Sequence, residues 1–286
     1  MNGSITVPTD PIGSHNLPPV DPMAFEADAA KERDGQLRRS NLRAVCSGVA
    51  VLVVFLVGWW LLWKSELVNP LFISNPVAVA KALGEILSTS ESWPDIWATF
   101  YASILALVSG ASLGILTGIM FAASPAIRKG LNPYLAIVNG IPRPALAPIF
   151  ILWFGLGATP KVLVGASLVY FVLLLNTLAG MTSIDEDIVT LSESLGMNRR
   201  QKFLLFQLPG SLPSIIAGLR LGAVYSVLGV VVSEIVASYS GLGQLMVRFT
   251  NQLDIASSFA VVMIMSLMAV ILDTAVRLVQ LRVERR

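Results

Sequence analysis

The chain alternates long apolar runs with short polar breaks, and the period of that alternation is set by membrane thickness rather than by strand or loop lengths. Six apolar segments stand out: Ala44 to Trp63, about Ile96 to Ala123, Tyr134 to Leu156, Lys161 to Met181, Ser214 to Ala237 and Ser257 to Leu281. The first, read as a helix, is about 30 Å long, enough to cross a hydrocarbon core. It ends in Trp59, Trp60 and Trp63, the residue type that settles at a lipid–water interface. No alternating strand pattern is visible, so the fold class is all-α and polytopic, with six transmembrane helices.

Two polar stretches carry shorter helical patterns. Asn75 to Leu87 opens on Asn-Pro and repeats Val79, Leu83, Ile86 and Leu87 along one face, which predicts an amphipathic surface helix. Ser238 to Ala256 is too polar to span and predicts a short interfacial helix. Within the second segment Gly110, Gly114 and Gly118 form two successive GxxxG steps, and Gly218 and Gly222 mark the fifth. Small residues on one face let helices approach closely, and ordinary helix packing accounts for them. The third segment carries Pro142, Pro144 and Pro148 beside Gly140, so its backbone must be irregular, and irregular backbone at membrane depth packs in protein or lines a watery cavity. Arg143 in the same stretch fits either a cavity wall or a snorkelling residue on a kinked helix.

Composition supports the membrane reading. Of 286 residues 55% are hydrophobic and 13% charged, about half the charge of a soluble domain. The net charge of +2 says little, but its distribution orients the chain. Lys31, Arg33, Arg38, Arg39 and Arg43 precede the first segment. Arg128 and Lys129 follow the second, Arg199, Arg200 and Lys202 the fourth, and Arg277, Arg282, Arg285 and Arg286 close the chain. The opposite side has Lys64, Lys81, Lys161 and Arg248. Both termini are therefore cytoplasmic. The resulting organisation is a disordered cytoplasmic tail (1–43), a first transmembrane helix (44–63), an extracytoplasmic connection with the surface helix (64–95), and a five-helix core (96–286) containing a cytoplasmic loop at 182–213.

The chemistry that is missing narrows the function. One Cys (Cys46) and one His (His15) cannot form a disulfide, a zinc site or a well-placed nucleophile pair. No Gly precedes any Lys, so there is no Walker A phosphate loop. Glu234 lies about 30 Å along its helix from Ser214, near the outer surface, and is not a midplane proton relay. Asp273 and Arg277 are spaced as a local i,i+4 pair. A secondary transporter would carry intramembrane carboxylates or paired broken helices related by a repeat, and no inverted repeat is visible.

The cytoplasmic loop is the remaining polar feature. Ile188, Leu191 and Leu195 share a helical face, with Ser192 and Glu193 off it; Gly196 breaks the helix; Asn198 caps the next, in a helix-Gly-helix unit braced on the bundle. That helix has Arg199, Arg200 and Lys202 on its polar side and Phe203, Leu204 and Phe206 on its apolar side, and Leu208-Pro209 ends it. On these residues alone the loop is either a docking unit for a partner or a basic surface for anionic lipid. Gly196 followed thirteen positions later by Pro209, with Leu208 before it, is similar to the cytoplasmic EAA loop of binding-protein-dependent ABC importer permeases. Thr190-Leu191-Ser192 departs from the EAA triplet, and Phe206 stands at its isoleucine position. PRPALAPIFILWFGLGATPK (142–161), LPGSLPSIIAGLRLG (208–222), VVSEIVASYSGLGQLM (231–246) and FISNPVAVAKAL (72–83) resemble the nitrate/sulfonate/taurine branch of that family.

This resemblance implies a type I importer permease of the cell inner membrane with no ATPase site of its own. It would pair with a second permease copy, two ATPase subunits that hold ATP and magnesium, and an extracytoplasmic solute-binding protein. It binds no cofactor itself and takes no nucleic acid partner. Ser194, Leu195, Gly196, Met197, Leu208 and Pro209 would couple to the ATPase; Tyr225, Ser226, Glu234 and Arg143 would lie near the path of a small anion such as a sulfonate, taurine or nitrate. The competing expectation is a membrane scaffold or sensor that uses the basic loop for lipid or partners.

Overall fold

The structure, a computed structural model, describes residues 43, 46–69, 72–183, 190–192 and 194–284. The tail read from the sequence falls almost wholly outside these residues, as do Ile188 and Glu193 of the cytoplasmic loop. The chain divides into two compact units, Met1–Leu61 and Leu62–Arg286. The first carries most of α1, Cys46–Lys64, 19 residues long and apolar enough to cross a membrane.

The second unit is a helical bundle, with no strand among the described residues. Helix α2 (Pro76–Ser88) starts where Asn75 Oδ1 accepts the Ala78 N–H at 2.7 Å, with Pro76 in the first turn where its missing N–H is harmless. Its Val79, Ala82 and Ile86 are buried, and the helix packs on the last helix; Leu87, expected on the same face, is 40% exposed. A 3₁₀ turn (Ser90–Ser92) leads into α3 (Trp93–Ala123), followed by α4 (Pro125–Gly140), a second 3₁₀ turn (Arg143–Leu146), α5 (Ala147–Phe154) and α6 (Ala158–Thr182). Beyond the cytoplasmic loop come α7 (Arg199–Lys202), a π-helical turn (Phe203–Gln207), α8 (Leu208–Val236), α9 (Leu242–Asn251) and α10 (Ile255–Glu284).

The core is the triple contact of α3, α6 and α8. It is close because glycines remove the side chains between backbones. A Cβ on Gly110 would stand 2.5 Å from the Ala166 carbonyl oxygen, one on Gly114 would stand 2.5 Å from that of Tyr170, and one on Gly229 would stand 2.6 Å from the Gly165 Cα. The glycine stripes read from the sequence are thus packing surfaces. Val164, Val169, Leu173 and Leu174 of α6 fill the space around them with no exposed surface.

The third apolar segment differs from a single span. Its two halves, Ala126–Gly140 and Arg143–Phe154, meet at an 80° bend. The cause lies in the residues at the break. Pro142 and Pro144 supply no N–H, and Arg143 turns back onto the carbonyls of the last turn of α4. It donates to Val138 O (3.5 Å), Asn139 O (3.3 Å) and Asn139 Oδ1 (3.1 Å), while its guanidinium lies 4.3 Å from the centre of the Phe171 ring on α6. A cation on the last carbonyls of a helix and against an aromatic face fixes the bend from both sides.

Candidate functional site

At the outer end of the bundle a polar cluster is sealed inside the protein. Glu234, in the last turn of α8, has no exposed surface. Its carboxylate accepts from Lys161 Nζ of α6 at 3.1 Å, from the Gly243 N–H at 2.9 Å, and from the Thr99 hydroxyl of α3, whose oxygen lies 2.9 and 3.0 Å from its two oxygens. Thr99 in turn accepts the Leu242 N–H at 2.8 Å, and Asp95 accepts the Gly241 N–H at 2.7 Å. The first amides of α9 are therefore taken by three side chains from α3 and α8. These donors point out of the helix with no partner in their own chain segment, and the helix dipole favours anionic acceptors there. Lys161 also donates to Ser240 O, and Arg248 pairs with Asp95 at 2.5 Å.

Gly241 makes this approach possible. Its φ is +118°, and a Cβ there would overlap the Glu234 carboxylate. Gly243 is similarly confined, with Glu234 Cβ and Val231 O each 2.7 Å from the added atom. The SGLG sequence is thus the shape that lets α9 sit on a carboxylate. Beside it, Glu85, Glu91, Arg248, Gln252 and Asp254 line an extracytoplasmic cleft of about 370 Å³ between α2, α9 and α10.

At the cytoplasmic end the loop forms a hook. Gly196 has φ +66°, and Met197 N–H donates to Ser192 O at 3.0 Å, closing the preceding turn with a left-handed glycine. A Cβ at Gly196 would meet nothing within 4 Å, so glycine is needed there for its backbone and not for space. Asn198 and Gln201 then cap each other's amides, both at 2.9 Å, a reciprocal capping box that starts α7. Leu208-Pro209 does not end this helix as expected. Pro209 falls in the first turn of α8, where a proline is tolerated, and the chain runs helically from Arg200 to Val236. Leu191 and Leu195, on the apolar face of the first helix, are 56% and 63% exposed, whereas Ser192, off that face, is buried. Ser194 and Pro209 are exposed, and Met197 and Leu208 half-buried.

The four residues assigned near the path separate. Tyr225 is 39% exposed on α8, while Ser226 is wholly enclosed and donates to its own helix at Ala223 O. Glu234 is locked in the outer cluster, and Arg143 braces the bend. The structure instead brings together a pair that spacing missed. Asp273 of α10 accepts from Arg220 of α8, Nε at 2.9 Å and Nη2 at 3.1 Å, in place of the local pair with Arg277.

This bundle, with its cytoplasmic hook and sealed outer end, has counterparts of known fold and family. Two solved structures have the same fold: the MetNI methionine ABC transporter in inward-facing conformations (TM-score 0.51, 17% identity, covering 67% of this chain and 99% of that one) and an amino acid ABC transporter with histidines (0.53, 18%, 69% and 98%). The binding-protein-dependent transport system inner membrane component family matches residues 110–285, and the chain belongs to that family. It is 29% identical to the taurine transport system permease protein TauC of Escherichia coli (strain K12) over 245 residues, 84% of this chain and 89% of that protein. It is 32% identical to the riboflavin transport system permease protein RibX of Chloroflexus aurantiacus over 199 residues, 69% and 74%. It is 28% identical to the formylaminopyrimidine transport permease protein ThiX of Halalkalibacterium halodurans over 229 residues, 78% and 90%. The chain is a multi-pass inner-membrane subunit of an ABC importer, as its loop and third segment predicted.

Proposed function

We propose that two copies of this chain form the translocation path for a small anion of the sulfonate, taurine or nitrate kind. Two separate ATPase subunits carrying ATP and magnesium drive it, and a solute-binding protein loads it from outside. The observation that carries this is mechanical. One continuous helical stretch, Arg200–Val236, joins the hook that exposes Leu191 and Leu195 in the cytoplasm to Glu234, which holds α9 at the outer end. Closure of the ATPase pair on ATP pulls the hook, and α8 carries that displacement to the outer latch, exposing the path to one side and then the other. TauC, named for taurine and matched over most of the chain, supports the anion class over the heterocycles of ThiX and RibX.

The test is co-expression with a candidate ABC ATPase subunit from the same organism, followed by affinity purification and reconstitution. The ATPase is expected to co-purify with the parent, and Gly196→Val is expected to insert normally while losing coupled uptake. The left-handed backbone at Gly196 disfavours a β-branched residue by about 1–2 kcal/mol, enough to remodel an exposed hook without unfolding the bundle. Full uptake by Gly196→Val, or a permease that never retains the ATPase, overturns the reading.

A further inference from the structure

The Arg220–Asp273 pair is out of place for a helix surface that faces lipid. Arg220 lies 16 residues inward of Val236, about 24 Å, and Asp273 lies 18 residues inward of Ile255, about 27 Å. Both helices continue for another 11 or 12 residues, about 16–18 Å, toward the cytoplasm. The fifth and sixth segments reach the cytoplasmic boundary near Ser214 and Leu281, so the pair stands about 9–12 Å inside that boundary, in the cytoplasmic part of the span. Its side chains are nevertheless 42% and 28% exposed in the chain. Charged groups at such depth face a bundle interior or water, because hydrocarbon solvates neither.

The neighbouring surface shows which. Although α8 is half buried, one stripe of it stays exposed among the described residues: Ala217, Leu221, Val224 and Leu228, recurring every three or four residues, the last three at 51%, 44% and 47%. At 100° per residue Arg220 stands about 60° to one side of the Ala217–Val224 line, at the border with α10, and Tyr225 borders the other side. The open stripe of the central helix is thus edged by a guanidinium and a phenol.

The guanidinium is only half used. Asp273 takes Nε and one N–H of Nη2. The fork of N–H groups on Nη1 and the outer side of Nη2 is directed away from that carboxylate, and it has the geometry that binds the oxygens of a sulfonate or carboxylate in pairs. Asp273 also neutralises the charge. An isolated arginine in a narrow path would hold an anion too tightly to release it, whereas a paired one offers oriented donors in a shallow well, the condition for passage.

We propose that Arg220 is the anion-contacting residue of the path, oriented by Asp273, with Ala217, Leu221, Val224 and Leu228 as the path wall. This rests on the importer reading above and adds the residue that would favour oxyanions. It is testable with a probe whose identity does not depend on the natural solute. In a Cys46→Ala background, Val224→Cys places a thiol one turn outward of Arg220. The assembled complex with its ATPase, in nanodiscs, is treated with the sulfonate reagent 2-sulfonatoethyl methanethiosulfonate or its trimethylammonium counterpart, each rate divided by that with a free small thiol. The sulfonate is expected to react about tenfold faster than the cation. Arg220→Lys should keep part of that preference. The neutral double variant Arg220→Gln/Asp273→Asn, which leaves no unpaired charge to unfold the bundle, should lose it. An introduced thiol that neither reagent reaches, or an unchanged preference in the double variant, overturns the proposal. ATPase retention is read on the same samples, so a complex that keeps its ATPase but shows no anion preference rejects Arg220 and leaves the importer reading standing.

Discussion

Glu234 is the residue on which the outer end depends, because its carboxyl group has no exposed surface and is surrounded by donors from three elements. A buried pair of this kind is weak evidence for net stability, since removing two charges from water offsets much of their attraction. Removing one partner is different, because the other is left charged and buried. Lys161→Met or Glu234→Gln alone should each destabilise by about 3–5 kcal/mol, while the double variant should lie within about 2 kcal/mol of the parent. Thermal unfolding of the detergent-solubilised chain measures this, and additive losses in the double variant would show that the two side chains are not coupled. The sequence placed Glu234 at the outer surface by counting along its helix. It could not show the partner, because Lys161 is 73 residues away and Thr99 is 135 away, and nothing in local spacing connects them.

At the scale of elements, glycines in two helices do two different jobs. Gly114 of α3 lies against the α6 backbone, whereas a Cβ at Gly84 of α2 would meet nothing within 4 Å. Gly114→Ala must therefore push α3 and α6 apart, and is expected to lower stability by about 1–3 kcal/mol, the range for overpacking. Gly84→Ala only removes backbone freedom from an exposed helix position and should raise stability by up to about 1 kcal/mol. Unfolding midpoints that move in the same direction for both would refute the distinction. The GxxxG steps were legible because their period matches a helix face. The bend in the third segment was legible only as a disturbance: three prolines announce irregular backbone, but hydropathy runs unbroken across them, and the 80° turn depends on Phe171 from another helix. The same limit explains Leu208-Pro209. A Leu-Pro step resembles a helix end, yet the π-helical turn before it lets the Leu208 N–H reach Phe203 O, and the chain re-enters α-helix with the proline in its first turn.

For the whole molecule the question is what the hook touches, since a basic cytoplasmic loop could bind either a partner protein or anionic lipid. The two partners read different surfaces. An ATPase cleft needs apolar anchors, because buried hydrophobic contacts at the centre of an interface carry most of its affinity. Anionic headgroups respond to net positive charge and fade with salt. The structure presents both, with Leu191, Leu195, Leu204 and Leu205 all between 48% and 63% exposed beside Arg200 and Lys202. Leu195→Asp changes the apolar anchor at a position that supports no core packing, so its unfolding midpoint should match the parent. Its retention of the ATPase on affinity resin should fall at least about tenfold, as loss of a single interface anchor predicts. Arg200→Gln/Lys202→Gln should leave ATPase retention within about threefold at physiological salt, because charges at the rim of an interface contribute little once screened. The reverse pattern, with full retention in Leu195→Asp and loss of binding to anionic vesicles in the double variant, would make the hook a lipid-binding element and remove the cytoplasmic end of the lever that joins it to Glu234.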